Sequence, residues 1–481
     1  MISKRVSDLI GLRSTIEKAL TLIDRAGLDD IIYIFAHNDA DGICSASIIA
    51  KILYLLDKPF VIKFIPQLRP DILENLLERI EPREAIFCDL GSGQLKILNE
   101  KLRTVSRVLI IDHHIPQKLS YIPFRIIHLN PWRYGFSGDF EASSSSIAYL
   151  LARPLAQYYS EEIYSLAKYA IIGSLGDSQD LGPNRSLLGL NNAVRGEAEE
   201  KGYLRTRIDI ILSGRDSKPL YQALADTFDP FIPGISGTLE GAAKFIISLG
   251  LAKGGLDIEK VTINDLTESQ KAILVEKIIE RISLSYMGKS LLEKVRSKLL
   301  GYVYEFPEEK GLTKYGRDFA TLLNACGRMG YPGVGFALLL SKKKVYYDEA
   351  LNIYKKYRYA LSSVISSSKN LLKKKGSLII LDGRDRVDES LASPVASILA
   401  QSTAESAIIL VVSKSTNNYV KISIRRTPEL QNIDLRELLK RATVDIREAY
   451  YGGHKAAAGA YIPIEKVDEF IERLSDIVNK M

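Results

Sequence analysis

From Ile31 to about Ile127 the chain alternates short apolar runs with amphipathic stretches. Ile31–Ala36 precedes Ile43–Leu56, Val61–Ile65 precedes Ile72–Ile80, and Ala85–Cys88 precedes Leu95–Leu102, before the run Val108–Ile111. Unbroken β-rich runs separated by helical-period segments predict β-α-β units, and so a parallel sheet with helices on both faces. Helical patterns dominate from Ser143 to Leu175. The serines of Ser143–Ser146 are placed to open a helix, because their side chains satisfy N–H groups left free at a helix start. This first α/β domain is expected to cover residues 1–185.

Between about Leu187 and Lys374 the pattern changes to long helical segments with few strands, apart from an apolar stretch near Leu338–Tyr347. A mainly helical middle region over 186–375 is predicted. Strand signals return with Ser377–Leu381, Ala407–Val412 and Tyr419–Ile424, interleaved with helical stretches near Ala392–Gln401, Leu435–Ala442 and Val467–Asn479. These predict a separate, smaller α/β domain over 376–481. Within Lys421–Arg425, strand alternation puts Ile422 and Ile424 on one face and Lys421, Ser423 and Arg425 on the other.

Composition narrows the class. Hydrophobic residues make up 46% and charged residues 26%, as in ordinary globular proteins. No stretch approaches the roughly 18 unbroken apolar residues of a membrane span, and the N-terminus Met-Ile-Ser-Lys-Arg lacks the features of a signal peptide. A cytoplasmic protein without a membrane partner is expected. Cys44, Cys88 and Cys326 form no close pair and no metal-type spacing, so each reads as a small buried apolar residue. The formal charge of +7, from 65 basic and 58 acidic residues, permits a polyanionic partner without demanding one. Basic clusters at Arg205/Arg207/Arg215/Lys218, Lys342–Lys344, Lys355/Lys356/Arg358 and Lys373–Lys375 read as solvated faces singly and as a phosphate-backbone track together.

Chemistry gathers at the carboxyl ends of the predicted strands, where open parallel sheets place their sites. His37-Asn38-Asp39-Ala40-Asp41-Gly42 follows the first run, Asp89 the third, and Asp112-His113-His114 the fourth; Asp177 stands in Gly-Ser-Leu-Gly-Asp, read as a fourth such end. Asp39 and Asp41, two apart in extended backbone, would face one cation site. An aspartate-rich turn with Asp41 as a helix cap is the plain alternative. Four such clusters are more than turn chemistry needs, and carboxylate plus imidazole is the ligand set for Mn²⁺ and similar cations. His128, before Leu129 and Asn130, reads as structural.

The four clusters resemble, in order, the motifs of the DHH phosphoesterase family. Gly452-Gly453-His454 resembles the signature of the DHH-associated C-terminal domain, and Ser423 and Arg425 resemble its substrate-binding face. The resemblance implies two Mn²⁺ ions, or Mg²⁺, held by Asp39, Asp41, Asp89, His113 and Asp177, with Asp89 as the bridge and His37 as a further ligand. It implies a supporting role for Asp112 and a contact from His114 to the scissile phosphate. Ser423, Arg425, Gly452, Gly453 and His454 would grip substrate phosphate across a cleft between the two α/β domains.

Asp318–Arg328, within a long middle region, resembles the corresponding part of RecJ-type exonucleases, particularly archaeal RecJ-like proteins that associate with the GINS replication complex. The expected activity is therefore hydrolysis of single-stranded DNA or RNA to mononucleotides in replication or repair. No strand-rich segment matches the oligonucleotide-binding fold of bacterial RecJ, which leaves polarity and the choice of DNA or RNA open. Two alternatives stand beside this reading. One is a small-substrate phosphodiesterase acting on short oligoribonucleotides, cyclic dinucleotides or nucleoside bisphosphates; the other is a replication scaffold binding GINS, against which the intact set of mutually repelling aspartates argues.

Overall fold

The alternation over the first 130 residues folds as a five-stranded, wholly parallel sheet in the computed structural model of the chain. The structure describes residues 2–27, 30–80, 82–250, 257–284, 295–341, 343–368, 371–403, 405–416, 418–427 and 429–481. After helix α1 (Ile2–Asp24) come β1 (Ile32–His37), α2 (Ala40–Leu55), β2 (Phe60–Ile65), α3 (Pro70–Leu77), β3 (Glu84–Cys88), α4 (Leu95–Lys101), β4 (Arg107–Ile111) and β5 (Ile126–Leu129). Strand order is β2-β1-β3-β4-β5. One face of the sheet buries Phe35, Phe87 and Ile110 against Leu73 of α3 and Leu95 and Leu98 of α4. The other is covered by α2 with α5 (Ser144–Ala152) and α7 (Ala167–Gly176), which follows the short helix α6 (Ser160–Ser165). α2 and α7 are buried on nearly every side, so neither carries the polar stripe of a surface helix.

The chain packs as two units: Met1–Asp209 with Gly301–Tyr354, and Ile210–Leu300 with Lys355–Met481. The first unit thus continues through α8 (Gly189–Glu200) and β6 (Arg205–Ile210), gives way to the second, and resumes at β7 (Leu300–Glu305). The second unit opens with α9 (Leu220–Ala225), α10 (Leu239–Ser248) and α11 (Glu268–Ser283), whose apolar sides form one core around Leu224, Ile246, Leu274 and Ile278. Residues 301–354 return α12 (Gly316–Arg328), α13 (Pro332–Ser341) and the start of α14 (Lys344–Ser368) to the first unit.

The middle region is mainly helical, with two differences from the sequence pattern. The apolar residues near Leu338–Tyr347 are not extended: Leu338 and Leu339 are buried in the last turn of α13, and Lys344–Tyr347 open α14. The basic segment Arg205–Ile210 is a strand paired with β7. Lys342, in one of the basic clusters, lies outside the described residues.

The C-terminal part of the second unit is a six-stranded mixed sheet in the order β12-β13-β11-β10-β9-β8. Its strands are β8 (Leu372–Lys375), β9 (Leu378–Asp382), β10 (Ile408–Thr416), β11 (Tyr419–Arg426), β12 (Tyr450–His454) and β13 (Ala457–Pro463). Ile422 and Ile424 are buried with α16 (Leu435–Thr443) and α17 (Val467–Asn479), while α15 (Glu389–Ser402) packs on the opposite side of β10 and β11. Cys44, Cys88 and Cys326 are buried and free, as their spacing indicated. Among the described residues no helix is long and apolar enough to cross a membrane.

Candidate metal centre

Parallel strands bring their carboxyl ends to one edge, and β1, β3 and β4 deliver His37, Asp89 and Asp112 there. Asp89 stands in left-handed backbone at φ 61, a conformation that costs energy in a residue with a side chain and clusters at functional sites. Two departures from the sequence reading concern the aspartates. Asp41 lies in the first turn of α2, not in extended backbone, and Asp39 is that helix's cap, accepting from the Gly42 N–H at 3.0 Å. Asp177 ends helix α7 rather than a strand. Gly42 is required by close approach, since a Cβ there would come within 2.2 Å of the His37 carbonyl oxygen.

The helical placement parts the two aspartates into two groups that share one member. Asp41, Asp89, His113 and Asp177 converge in one, and His37, Asp39 and Asp89 in the other, each with ligand atoms within 4.8 Å of one another. Asp89 is 1% exposed and stands between them, 3.2 Å from His37 Nδ1 through one oxygen and 3.3 Å from His113 Nε2 through the other. Asp112 and His114 form a third group with Asp89. Asp112 is already engaged: it accepts from the Ser92 N–H at 2.7 Å and lies 2.8 Å from His114 Nδ1. His114 is the most open of the set, 36% exposed.

Backbone carbonyls fix how the imidazoles face. A carbonyl only accepts, so His37 Nε2–H donates to Pro66 O (3.1 Å) and His113 Nδ1–H to Gly138 O (2.6 Å). That leaves His37 Nδ1 and His113 Nε2 aimed at the carboxylates, the orientation that metal-binding histidines take from their outer partners. Trp132 Nε1–H donates to His113 O, and Gln179 donates to Gly138 O.

Sequence reasoning missed the role of the serine run. The N-terminus of α5 points at Asp41, whose oxygens accept from the Ser144 N–H (2.7 Å) and Ser145 N–H (3.0 Å), while Ser144 Oγ–H donates to Asp89 at 2.9 Å. Ser143–Ser146 does open a helix, with Ser143 as its cap. The helix so opened is what holds two of the acidic residues.

Protonation shows what the cluster lacks. Burial, then repulsion from Asp177 and Asp89, raises the Asp41 pKa well above the carboxylate range; burial also raises that of Asp177. Burial opposes charge on His37 and His113, but the facing carboxylates outweigh it and hold both well above the usual imidazole value. Asp89, despite burial, is held well below its ordinary value by the imidazoles of His113 and His37 that face it. These directions mark a cluster that favours added positive charge. The buried Asp89 Oδ2 accepts no well-directed hydrogen bond, and a hard oxygen and imidazole donor set fits divalent cations such as Mn²⁺.

The second set of sequence-predicted residues lies on the C-terminal sheet. β13 runs between β11 and β12, so Ser423 and Gly452 both register against Gly459, and Arg425 and His454 both against Ala457. Opposed residues share a face. Ser423, Arg425, Gly452 and His454 therefore flank a floor of Gly459 and Ala457, and Gly453 is paired with Ala458. Ser423 is 2% exposed. Arg425 lies along α15, donating to Ser397 Oγ at 2.9 Å and to Ser393 Oγ.

Comparison with known proteins agrees with this layout. Residues 31–174 match the N-terminal domain of the DHH family, 212–295 the DHH-CID domain and 375–480 the DHHA1 domain. An uncharacterized protein of Methanocaldococcus jannaschii is 29% identical over 476 residues, covering 97% of this chain and 98% of that one. RecJ of Thermus thermophilus, solved in complex with Mn²⁺, is 18% identical with a TM-score of 0.58; the match covers 98% of this chain and 55% of that one. CDC45 from Entamoeba histolytica is 14% identical with a TM-score of 0.64, covering 96% and 98%. At these identities the structural likeness is one of fold. With the family's three domains in sequence and its four acidic motifs converging on one edge of the sheet, the chain belongs to the DHH phosphoesterase family, with a RecJ-like fold.

Proposed function

We propose that the chain is a two-metal phosphodiesterase that hydrolyses single-stranded DNA or RNA to mononucleotides. The observation that carries this is the sharing of Asp89 by two ligand groups. Asp41, Asp89, His113 and Asp177 would hold one cation, and His37, Asp39 and Asp89 the other. Bound there, two such cations supply a water of lowered pKa and a counter-charge for the phosphoryl oxygens. Mn²⁺ suits the mixed imidazole and carboxylate donors, and Mg²⁺ is the alternative.

The chain's own groups do the rest. The N–H groups at the start of α5 keep Asp41 aimed, and Pro66 and Gly138 hold His37 and His113 with a lone pair inward. Asp112 holds His114 by Nδ1, leaving Nε2 of the more exposed ring to meet the scissile phosphate. On the C-terminal sheet, Ser423, Arg425, Gly452, Gly453 and His454 serve a second phosphate, with the guanidinium pre-set by the α15 serines, an arrangement suited to phosphate oxygens. In this reading residues 1–185 are the catalytic domain, 186–375 a mainly helical insertion and 376–481 the substrate-binding domain. The middle region offers a surface for a GINS-type replication partner, and the protein acts in the cytoplasm in replication or repair.

End-labelled DNA and RNA strands of several lengths, digested with Mn²⁺ or Mg²⁺ and resolved on a gel, test the reading. Stepwise release of mononucleotides from long single strands is expected. Strong preference for strands of two to five nucleotides would replace it with a small-substrate phosphodiesterase. Binding of purified GINS by the full chain tests the partner.

A further inference from the structure

The first and fourth acidic motifs are bridged by a residue from far along the chain. Asn324, on α12, accepts from the Ala40 N–H through Oδ1 at 2.9 Å, and its Nδ2 lies 3.5 Å from the Gly176 carbonyl oxygen. Ala40 is flanked by Asp39 and Asp41; Gly176 precedes Asp177. The start of α2 leaves several N–H groups without helical partners. Asp39 takes that of Gly42, and Asn324 takes that of Ala40, which lets the second Asp39 oxygen face His37.

One turn later the same helix touches the same loop. Asn38 Nδ2–H donates to the Gly327 carbonyl at 3.2 Å, and a Cβ on Gly327 would fall 1.5 Å from the Asn38 carbonyl oxygen. Across the bridge, a Cβ on Gly176 would fall 2.6 Å from the Ala40 side chain. Backbones therefore meet at both ends of the contact, with one carboxamide spanning them.

We propose that Asn324 is a positioning residue of the metal centre: it sets the distance between the start of α2, which carries Asp39 and Asp41, and the helix end carrying Asp177. Those aspartates belong to different ligand groups, Asp39 to one and Asp41 with Asp177 to the other. A change in their spacing moves both groups relative to the Asp89 they share. The inference rests on the two-metal reading above.

The test uses the full chain with Asn324→Leu, which keeps the bulk and removes both polar atoms, and Asn324→Asp, which keeps the acceptor for Ala40. Outer-shell partners of metal ligands are typically worth 10- to 100-fold in affinity. Mn²⁺ titration followed by electron paramagnetic resonance should therefore show N324L binding about tenfold or more weakly, and N324D recovering most of the loss. Hydrogen exchange of the metal-free chain should show the Ala40 amide exposed in N324L only. Hydrolysis by N324L, assayed well below its metal-free melting midpoint so that the chain is folded throughout, should return toward the wild-type rate as Mn²⁺ is raised; a merely destabilised fold would show normal Mn²⁺ affinity under those conditions. If N324L fails to fold, Asn324→Ser, too short to span the gap, decides by the same titration. Wild-type Mn²⁺ affinity in the folded variant overturns the proposal, whereas a wild-type chain that binds no Mn²⁺ overturns the two-metal reading instead.

Discussion

Replacing Asp89 by Asn tests the shared ligand with almost no change of shape. The carboxamide oxygen still accepts from Ser144 Oγ, the bond that now measures 2.9 Å, and Asn tolerates the left-handed backbone at this position. What goes is one negative charge at a site 1% exposed, facing His37 at 3.2 Å and His113 at 3.3 Å. If an outer partner is worth 10- to 100-fold in metal affinity, a direct ligand shared by two cations is expected to cost at least about 100-fold. With Mn²⁺ at 100 times the wild-type Kd, binding stabilises the wild type by about 2.7 kcal/mol; a variant whose Kd is 100-fold higher gains only about 0.4 kcal/mol at that concentration. Hydrolysis should fall by about 10³ or more, about 4 kcal/mol on the barrier. Thermal melts with and without Mn²⁺, beside a single-strand digestion, read both quantities. A D89N chain that keeps the Mn²⁺-induced rise in Tm and digests within about tenfold of wild type would refute the shared-ligand geometry.

Two further outcomes follow from buried groups away from the ligands. Burial lowers the His128 pKa to about 4 from 6.5, and its ring stays neutral against Ser92 Oγ at 2.7 Å. The unfolded chain takes up that proton first, so the His128 contribution is complete above about pH 6.5 and is lost as pH falls through about 4, at about 1.4 kcal/mol per unit. His37, His113 and His114, with raised pKa values, act in the opposite sense. The comparison is therefore between wild type and His128→Gln by denaturant unfolding at pH 7 and 5; an equal pH response in the two would remove this account. Lys168, 3% exposed, pairs at 2.6 Å with Glu309, 19% exposed. Lys168→Met strands the carboxylate and should cost about 3 kcal/mol, the low end for breaking a buried pair, while adding Glu309→Gln should recover part of it; thermal midpoints of the two variants decide.

The parallel sheet was legible because β1, β3 and β4 are buried on both faces and so read as unbroken apolar runs, with a polar cluster wherever such a run stops. His37, Asp89 and His113 accordingly stand at, or just past, the strand ends that these runs predict. Asp177 was singled out by the pattern but placed on a strand end rather than a helix end: α7 is buried from Ala167 to Leu175, so no polar stripe marks it as a helix. The same lack of a stripe made Leu338 and Leu339 look extended. The conformation of Asp41 was missed because the helix begins one residue before it, at Ala40, under a cap supplied by Asp39. Nothing local could reveal that α5 would aim its N–H groups at Asp41, or that Asn324 would reach Ala40. Those contacts join residues about a hundred and nearly three hundred positions apart, and a periodicity window sees only neighbours.

That separation has a consequence for how the protein is made. The first unit is not complete when residue 209 leaves the ribosome, because α12 belongs to it and lies beyond the whole of the stretch from Ile210 to Leu300. At about 5–20 residues per second, synthesis of the residues between Asp89 and Asn324 takes roughly 10–50 seconds. During that interval five acidic side chains share one sheet edge without their brace. A nascent chain in this state is the form most open to a wrong cation or to a chaperone, and the order of translation, more than the final contacts, sets when the centre first matures.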